Sequence, residues 1–183
     1  PVRKAVLDVL DSTFLNDGEE RIDYSFGSAG EVVATDAAGA ASTLFLNQFG
    51  AIARLDDALG NSVTVGFSDN FNLNRFVDAI GQTYSFGYDT RGNLTSSIDP
   101  LGHTSRFTYG TFNRLRTFTD SKGNVTQYAY DAHGNLTSTT DALGASDQIA
   151  YDPLGNPTSF TNRRGRVIAT TFNDDGLLTR KYY

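Results

Sequence analysis

Histidine, the commonest general acid or base in enzymes, is rare in this sequence, and cysteine is absent. The only histidines, His103 and His133, each lie in or beside a glycine-containing run of turn-forming residues. A catalytic histidine needs an acidic residue that orients it and a nucleophile within hydrogen-bond reach. Nothing in the sequence distinguishes these two histidines from ordinary turn residues, and glycine-rich phosphate loops leading into helices are absent. We therefore predict no catalytic residues, no cofactor and no enzymatic activity.

Aspartates are the most regular candidate metal ligands, because many of them open a four-residue Asp-x-x-Gly segment. Calcium takes about six to eight oxygen ligands, whereas each of these segments offers one carboxylate beside backbone groups. An aspartate at the first position of a turn accepts hydrogen bonds from the turn backbone, and the closing glycine tolerates positive φ. These segments predict turns, and we expect no metal site.

The charge of the chain disfavours nucleic acid as a partner, since the formal net charge is −6 and the pI is about 4.7. Phosphate contacts dominate nucleic-acid affinity and require a basic surface. The one basic cluster, Arg163, Arg164 and Arg166, is short, and we interpret it as a solvated turn. No apolar run approaches the length of a membrane span, so we expect no membrane insertion. The chain lacks methionine, which predicts a processed or excerpted part of a longer protein.

The strongest signal is an internal repeat of 21 residues. Glycines recur at this spacing without a slip at positions 18, 39, 60, 81, 102, 123, 144 and 165, and the openers of their turns are Asp36, Asp57, Asp78, Asp99, Asp120, Asp141 and Asn162. A second turn follows in each unit, and its glycine position holds Gly50, Phe71, Gly92, Asn113, Gly134, Gly155 and Gly176. Fixed self-similarity of this kind is typical of repeat architectures.

Aromatic and aliphatic residues occupy fixed places between the two turns. Four residues before the second glycine position stand Leu46, Phe67, Tyr88, Tyr109, Tyr130, Tyr151 and Phe172, and two residues after it stand Ile52, Leu73, Leu94, Leu115, Leu136, Pro157 and Leu178. Within each run apolar and polar residues alternate, as Phe107 and Tyr109 do with Arg106 and Thr108, which indicates strands. We predict an all-β chain of about sixteen short antiparallel strands, joined as consecutive hairpins into a twisted, spiralling strip. Packing is the expected role of the aromatic rows.

An odd period has a consequence, because side chains alternate between the two faces along a strand. The aromatic row would change face from one unit to the next unless each unit contained a loop or bulge with an odd number of residues, which would return the row to the same face. A type I turn followed by glycine in a G1 bulge supplies one. We expect it at the turn Asp89–Gly92, with Tyr88 opposite Leu94 on one face, and an even loop at Asp99–Gly102. The other face should carry polar residues such as Thr95, Gln127 and Thr137.

The motif Tyr-Asp-x-x-Gly-Asn-Leu-Thr occurs twice in full and once with Pro157 in place of leucine. The residues that carry it are Tyr88, Asp89, Gly92, Asn93 and Leu94, then Tyr130, Asp131, Gly134, Asn135 and Leu136, then Tyr151, Asp152 and Gly155, with Asp99 and Gly102 as the intervening turn. This motif resembles the YD repeats, or Rhs-type repeats, of bacterial polymorphic toxins, of toxin-complex C components and of teneurins. The resemblance covers residues 15–183, which correspond to about eight repeats.

Several positions depart from the repeat. Ser68 and Phe71 stand where aspartate and glycine are expected. In a later unit, Gly110 replaces the aspartate and Asn113 replaces the glycine. Residues 1–14 contain no repeat turn, and we interpret them as a lead-in. They form either the last strand of a preceding repeat or a short helix, since so short a segment is ambiguous by periodicity.

The resemblance implies a function as well as a fold. In the family, many such hairpins spiral into a hollow shell that encloses a toxic domain, so we expect a wall segment of such a shell in an exported bacterial protein, secreted or at the cell surface. The implied partners are further YD repeats of the parent chain and an encapsulated toxin domain. Two alternatives stay open: a surface-adhesion module that binds cell-surface glycans, and a fibre subunit that self-associates through its unpaired edge strands.

Overall fold

The computed structural model describes residues 22–27 and 30–183. The predicted lead-in of residues 1–14 and the start of the first repeat lie outside the described residues. The described chain is all β, apart from a single 3-10 turn at Thr111–Asn113. This confirms the predicted fold class and the predicted number of strands.

The described strands are short and evenly distributed along the chain. They are β1 Asp23–Phe26, β2 Glu31–Thr35, β3 Ala41–Leu46, β4 Ile52–Asp56, β5 Ser62–Phe67, β6 Leu73–Val77, β7 Thr83–Tyr88, β8 Leu94–Ile98, β9 Thr104–Tyr109, β10 Leu115–Thr119, β11 Val125–Tyr130, β12 Leu136–Thr140, β13 Ser146–Tyr151, β14 Pro157–Thr161, β15 Val167–Phe172 and β16 Leu178–Tyr182. The order of the strands in the sheet is their order in the chain. Each connection is therefore a hairpin, as the sequence predicts.

The chain divides into two compact units, residues 1–86 and 87–183, with the boundary inside β7. In the first unit the strands from β1 to β7 pair antiparallel, each with the next. In the second unit the strands from β8 to β16 pair in the same manner. Both units are thus built from the same repeated hairpin.

Within each unit, the described strands pack mainly against their sequence neighbours. Val32, at 4% exposure, is the one buried hydrophobic side chain among the residues that the structure describes. Members of the aromatic rows such as Phe107, Tyr109 and Tyr130 are half-buried. The rows are therefore held by lateral contact within one sheet layer, and their outer surfaces stay accessible.

The two kinds of turn have the same geometry, so the expected even loop at Asp99–Gly102 is wrong. The amide of Gly102 donates to the carbonyl of Asp99 at 3.0 Å, and the amide of Asp99 donates to the carbonyl of His103 at 3.0 Å. These bonds define a type I turn closed by a G1 bulge. The same residue chemistry at both turns, an Asx side chain first and glycine fourth, selects the same loop.

The odd irregularity lies inside a strand, one residue after the second turn. Tyr130 pairs with Leu136, but Ala129 pairs with Ser138, so Thr137 is an extra residue on β12. The same skip occurs at Ala53, Asn74, Arg116, Thr158 and Thr179. The odd period therefore does require one odd irregularity in each unit. The structure supplies it as a strand bulge rather than as two different kinds of turn.

Successive repeats are also offset from one another along the strand direction. Gln127 pairs with Thr140, which pairs with Ser146. The repeat equivalent of Gln127 is Gln148, which lies two residues further along β13. Gln148 pairs with Thr161, which pairs with Val167, and the repeat equivalent of Gln148 is Ala169, so the next repeat has the same two-residue offset.

Candidate functional site

The predicted repeat residues converge on the turns, and Asp131 illustrates their chemistry. The amide of Gly134 donates to the carbonyl of Asp131 at 3.0 Å, and the amide of Asp131 donates to the carbonyl of Asn135 at 3.0 Å. One carboxylate oxygen of Asp131 also accepts from the amides of His133 at 2.9 Å and Asn135 at 2.8 Å. Gly134 has a φ of 89°, which a residue with a Cβ adopts only with strain.

An asparagine directly after the glycine completes these turns. Its side-chain amide donates to the second carboxylate oxygen of the opening aspartate at 2.7–3.0 Å, in the pairs Asp57–Asn61, Asp89–Asn93, Asp120–Asn124, Asp131–Asn135 and Asp152–Asn156. At Asp99 the same place is held by His103, whose Nδ1 lies 2.8 Å from the carboxylate. The structure therefore places His103 as a partner of its own turn.

These hydrogen bonds shift the acidity of the turn aspartates. Donation from the partner asparagine side chain is the largest cause, and it lowers the pKa of Asp57, Asp89, Asp120, Asp131 and Asp152 below the usual range. At Asp99 burial raises the pKa, but the bonds from His103 outweigh it and the net pKa is lowered. Hydrogen bonds to the ionised form stabilise it, so the turns that these six aspartates open each hold a charged carboxylate.

The aromatic and leucine rows meet across the second turn, as predicted. The opposed pairs are Leu46–Ile52, Phe67–Leu73, Tyr109–Leu115, Tyr130–Leu136, Tyr151–Pro157 and Phe172–Leu178. The hydroxyl of Tyr151 also donates to the carbonyl of Leu136 at 2.9 Å, beside the bulge. Gly92, Gly134 and Gly155 adopt positive φ, the conformation expected of a glycine that closes such a turn.

Sequence reasoning missed a further row on the aromatic face. Phe76, Phe118 and Phe160 recur at twice the repeat length, and they pair with Val65, Phe107 and Ile149 on the neighbouring strands. The rings of Phe107 and Phe118 lie 5.3 Å apart. The intervening units have Ser97 and Thr139 at this position. The spacing of these phenylalanines at twice the repeat length is visible in the sequence. Only the cross-strand pairing shows that apolar and polar patches alternate along one face of the sheet.

The opposite face is polar, as predicted. Thr117, Gln127 and Thr140 lie side by side on three neighbouring strands, and Gln127 is exposed. Thr137, which the sequence placed with them, is the bulge residue. The sheet therefore has one aromatic and one polar face in the second unit.

Arg163 lies in an exposed turn, as predicted, and ion pairs also anchor it there. Its guanidinium donates to the carboxylates of Asp147 at 2.8 Å and Asp141 at 3.0 Å, and its amide donates to Asp147 at 2.8 Å. The side-chain bond with Arg163 lowers the pKa of Asp147. Asp147 comes from a strand and Asp141 from the preceding turn, so sequence spacing alone gave no sign of the cluster.

No group of three or more potential metal-ligating His, Cys, Asp or Glu side chains occurs among residues 22–27 and 30–183. The turn carboxylates are occupied by the bonds of their own turns. In the same part of the chain, no helix has the length and apolar character that crossing a membrane requires.

Three overlapping segments of the chain match the RHS repeat family model, at residues 72–104, 88–123 and 109–146. The matched segments contain two full copies of the tyrosine–aspartate motif and the turns described above. Residues 72–146 carry RHS repeats. The 21-residue register of the RHS repeats continues on both sides of the matched segments.

Solved structures share the fold of these RHS repeats. A complex of TcdB2 and TccC3 with Cdc42 matches with a TM-score of 0.60 and 16% identity over 87% of this chain. A complex of TcdB2 and TccC3 with TEV has a TM-score of 0.61 and 15% identity over 85%. A Photorhabdus luminescens Tc holotoxin pore has a TM-score of 0.60 and 15% identity over 91%.

The chain covers 10% of the length of each of these solved chains. No curated protein matches it in sequence. The RHS repeats and the shared fold identify a structural repeat scaffold.

Proposed function

We propose that this chain is a wall segment of a shell that encloses a toxin domain in an exported bacterial protein. The repeats supply a continuous backbone hydrogen-bond ladder, which separates one side of the sheet from the other. The partners on this proposal are further RHS repeats of the parent chain and the enclosed domain. The protein is non-enzymatic, and it works at the cell surface or outside the cell.

The observation that carries this proposal is the offset between repeats. Two residues correspond to about 6.6 Å along a strand, against about 9.6 Å across two strands. A strip with this offset has its strands inclined by about 35° to the axis around which it would wrap, a tilt typical of closed β-walls. The uniform offset therefore supports a curved wall rather than a straight ribbon.

The two faces of the sheet support the same proposal. A wall needs different surfaces on its two sides, and the second unit has an aromatic face and a polar face. The aromatic face is half-buried within its own layer and has room for contact with an enclosed chain. The fold shared with the TcdB2–TccC3 complexes is consistent with this arrangement.

Limited proteolysis of the parent protein tests the proposal. If the repeats form a closed wall, a non-repeat domain of the parent chain survives protease intact while isolated samples of that domain are digested. The matched control is the parent protein with the repeats partly unfolded in urea, in which protection should disappear. Equal digestion of the non-repeat domain with and without the repeats would refute the enclosure.

The glycan-binding and self-association alternatives stay predictions. A glycan array would test the first. Sedimentation of the chain over a range of concentrations would test the second, because association through edge strands raises the apparent mass with concentration.

A further inference from the structure

One second turn departs from the repeat at several positions together. Gly110, Asn113 and Arg114 stand where the repeats on either side have aspartate, glycine and asparagine, and Arg116 occupies a bulge position that the next repeats give to threonine. The tip residue of this turn is Phe112. The neighbouring repeats reach the same hairpin pairing without these residues. Folding of the hairpin therefore does not explain them.

The departures make this turn less favourable than its neighbours. Phe112 and Asn113 adopt φ values of 58° and 57°, in the left-handed region that favours glycine. Gly110 has no side chain to accept the bonds that Asp131 accepts in the next repeat. Phe112 is 85% exposed. Strained backbone and exposed aromatic surface at one place point to a local role.

Arg114 reaches from this turn to the equivalent turn of the next repeat. Its Nη1 donates to the carbonyl oxygen of Gly134, and its guanidinium carbon lies 5.5 Å from the centre of the Tyr130 ring. Gly134 leaves room for it, since a Cβ there would overlap the guanidinium. The Nε atom of Arg114 is buried and has no hydrogen-bond partner. A buried donor without an acceptor is costly, and this one requires an explanation.

These residues line one cleft in the second unit, with a volume of about 550 Å³. Its walls include Phe112, Arg114, Arg116, Tyr128, Tyr130 and Asp131. The volume lies in the range of small-molecule sites. The carboxylate of Asp131 is occupied by the bonds of its own turn, so the two arginines are the charges available to a ligand.

We propose that this cleft binds a carboxylate carried on a ring. The guanidinium of Arg114 lies on the wall of the cleft, and a guanidinium binds a carboxylate through charge-assisted hydrogen bonds. Arg116 adds a second positive charge. The faces of Tyr128 and Tyr130 offer a flat apolar surface for the ring that carries the carboxylate. Acidic sugars and aromatic acids both present this chemistry.

A purely structural role for Arg114, as a tie between two turns, makes a different prediction. A tie between the two turns requires the hydrogen bond from Arg114 to Gly134. It does not require the charge of Arg116 or the exposed ring of Phe112. It also leaves Nε without a partner. Binding of a small carboxylate therefore separates the two roles.

The test is NMR titration of the ¹⁵N-labelled chain with glucuronate, benzoate and neutral glucose. Glucuronate or benzoate should give saturable shifts at the amides of Tyr130 and Gly134, and glucose should give none. Arg114→Asn, which restores the residue of the neighbouring repeats, should weaken binding at least about tenfold. Arg116→Thr should weaken it in the same direction. Arg106→Gln, at an exposed arginine of β9, is the matched control and should bind as the wild type does.

A thermal melt of each variant confirms folding, and Arg116→Thr serves alone if Arg114→Asn does not fold. A preference for glucuronate or for benzoate assigns the ligand to acidic sugars or to aromatic acids. The proposal is overturned if neither carboxylate binds saturably, if glucose binds equally well, or if the folded arginine variants retain wild-type affinity.

Discussion

At the scale of the residue, one side chain per turn performs several tasks. The carboxylate of Asp152 accepts from the amides of Leu154 and Asn156 at 2.9 Å each and from the Asn156 side chain at 3.0 Å. It thereby satisfies backbone donors that a tight turn leaves without a partner. Asn47 performs the backbone part of this task at 2.9 and 3.0 Å. The turn therefore needs the side-chain oxygen of an aspartate or an asparagine. The negative charge of the aspartate is not required for the backbone bonds.

The charge makes a pH prediction. The folded pKa of Asp89, Asp131 and Asp152 is lowered by their partner asparagines, so the stability they contribute is present above the unfolded pKa, about 3.9. It is lost as the pH falls through the lower folded pKa. We expect the urea midpoint of unfolding, followed by circular dichroism, to stay level from about pH 7 to pH 5 and to fall below about pH 4.

The matched variant replaces these three aspartates by asparagine, which keeps the oxygen that accepts the backbone bonds. Its urea midpoint should fall less steeply in acid than that of the wild type. An identical acid profile for the two proteins would show that other carboxylates control the transition.

At the scale of the element, the bulge adds one residue to the strand without changing which residues pair on either side of it. Leu136 pairs with Tyr130 and Ser138 with Ala129, so the residues on both sides of Thr137 already occupy their proper faces. Thr137 can therefore be removed without turning any neighbouring side chain to the other face. Ala129, directly opposite the bulge, has no such freedom, because strand residues alternate faces.

Deletion of Thr137 should therefore be tolerated, whereas deletion of Ala129 should not. Without Ala129, Tyr128 and Tyr130 become adjacent and one of them must leave the aromatic face. We expect the free energy of unfolding to fall by at least about 1.5 kcal/mol more for the Ala129 deletion, the scale of one large apolar side chain losing its contacts. Urea unfolding of both deletion variants measures the difference. Equal losses would mean that the bulge residue has no special freedom.

The sequence predicts the strands and turns of this chain well, because those features depend on local chemistry. The spacing of Gly102 and Gly134 shows where hairpins end, and glycine has a known preference for positive φ. The bulge could not be located, because Ala53, Asn74 and Thr137 share no property that marks an extra residue. The anchoring of Arg163 and the cleft beside Arg114 depend on which turns become neighbours in the sheet. The sequence shows that Asn113 replaces a glycine, but it does not show which residues of the next repeat lie beside this turn.

At the scale of the whole molecule, stability is spread along the chain. Each described hairpin contacts its neighbours in sequence, and among the described residues Val32 is the only buried hydrophobic side chain. A repeat array of this kind is stabilised by each unit and by the interface with the next, with no common core. The removal of one end of the chain should therefore destabilise only the adjoining strands.

A variant that ends at residue 166, before β15, tests this property. Strand β14 loses its pairing with β15, so β13 and β14 should exchange their amide hydrogens faster than in the whole chain. Strands β9 to β12 keep all their neighbours, and their exchange should stay within about twofold of the whole chain, since their local opening free energy is unchanged. Hydrogen–deuterium exchange followed by mass spectrometry resolves the two groups, and β9 to β12 serve as the internal control. If protection falls equally from β9 to β14, the second unit unfolds as one cooperative body, and the additive picture of the repeat is wrong.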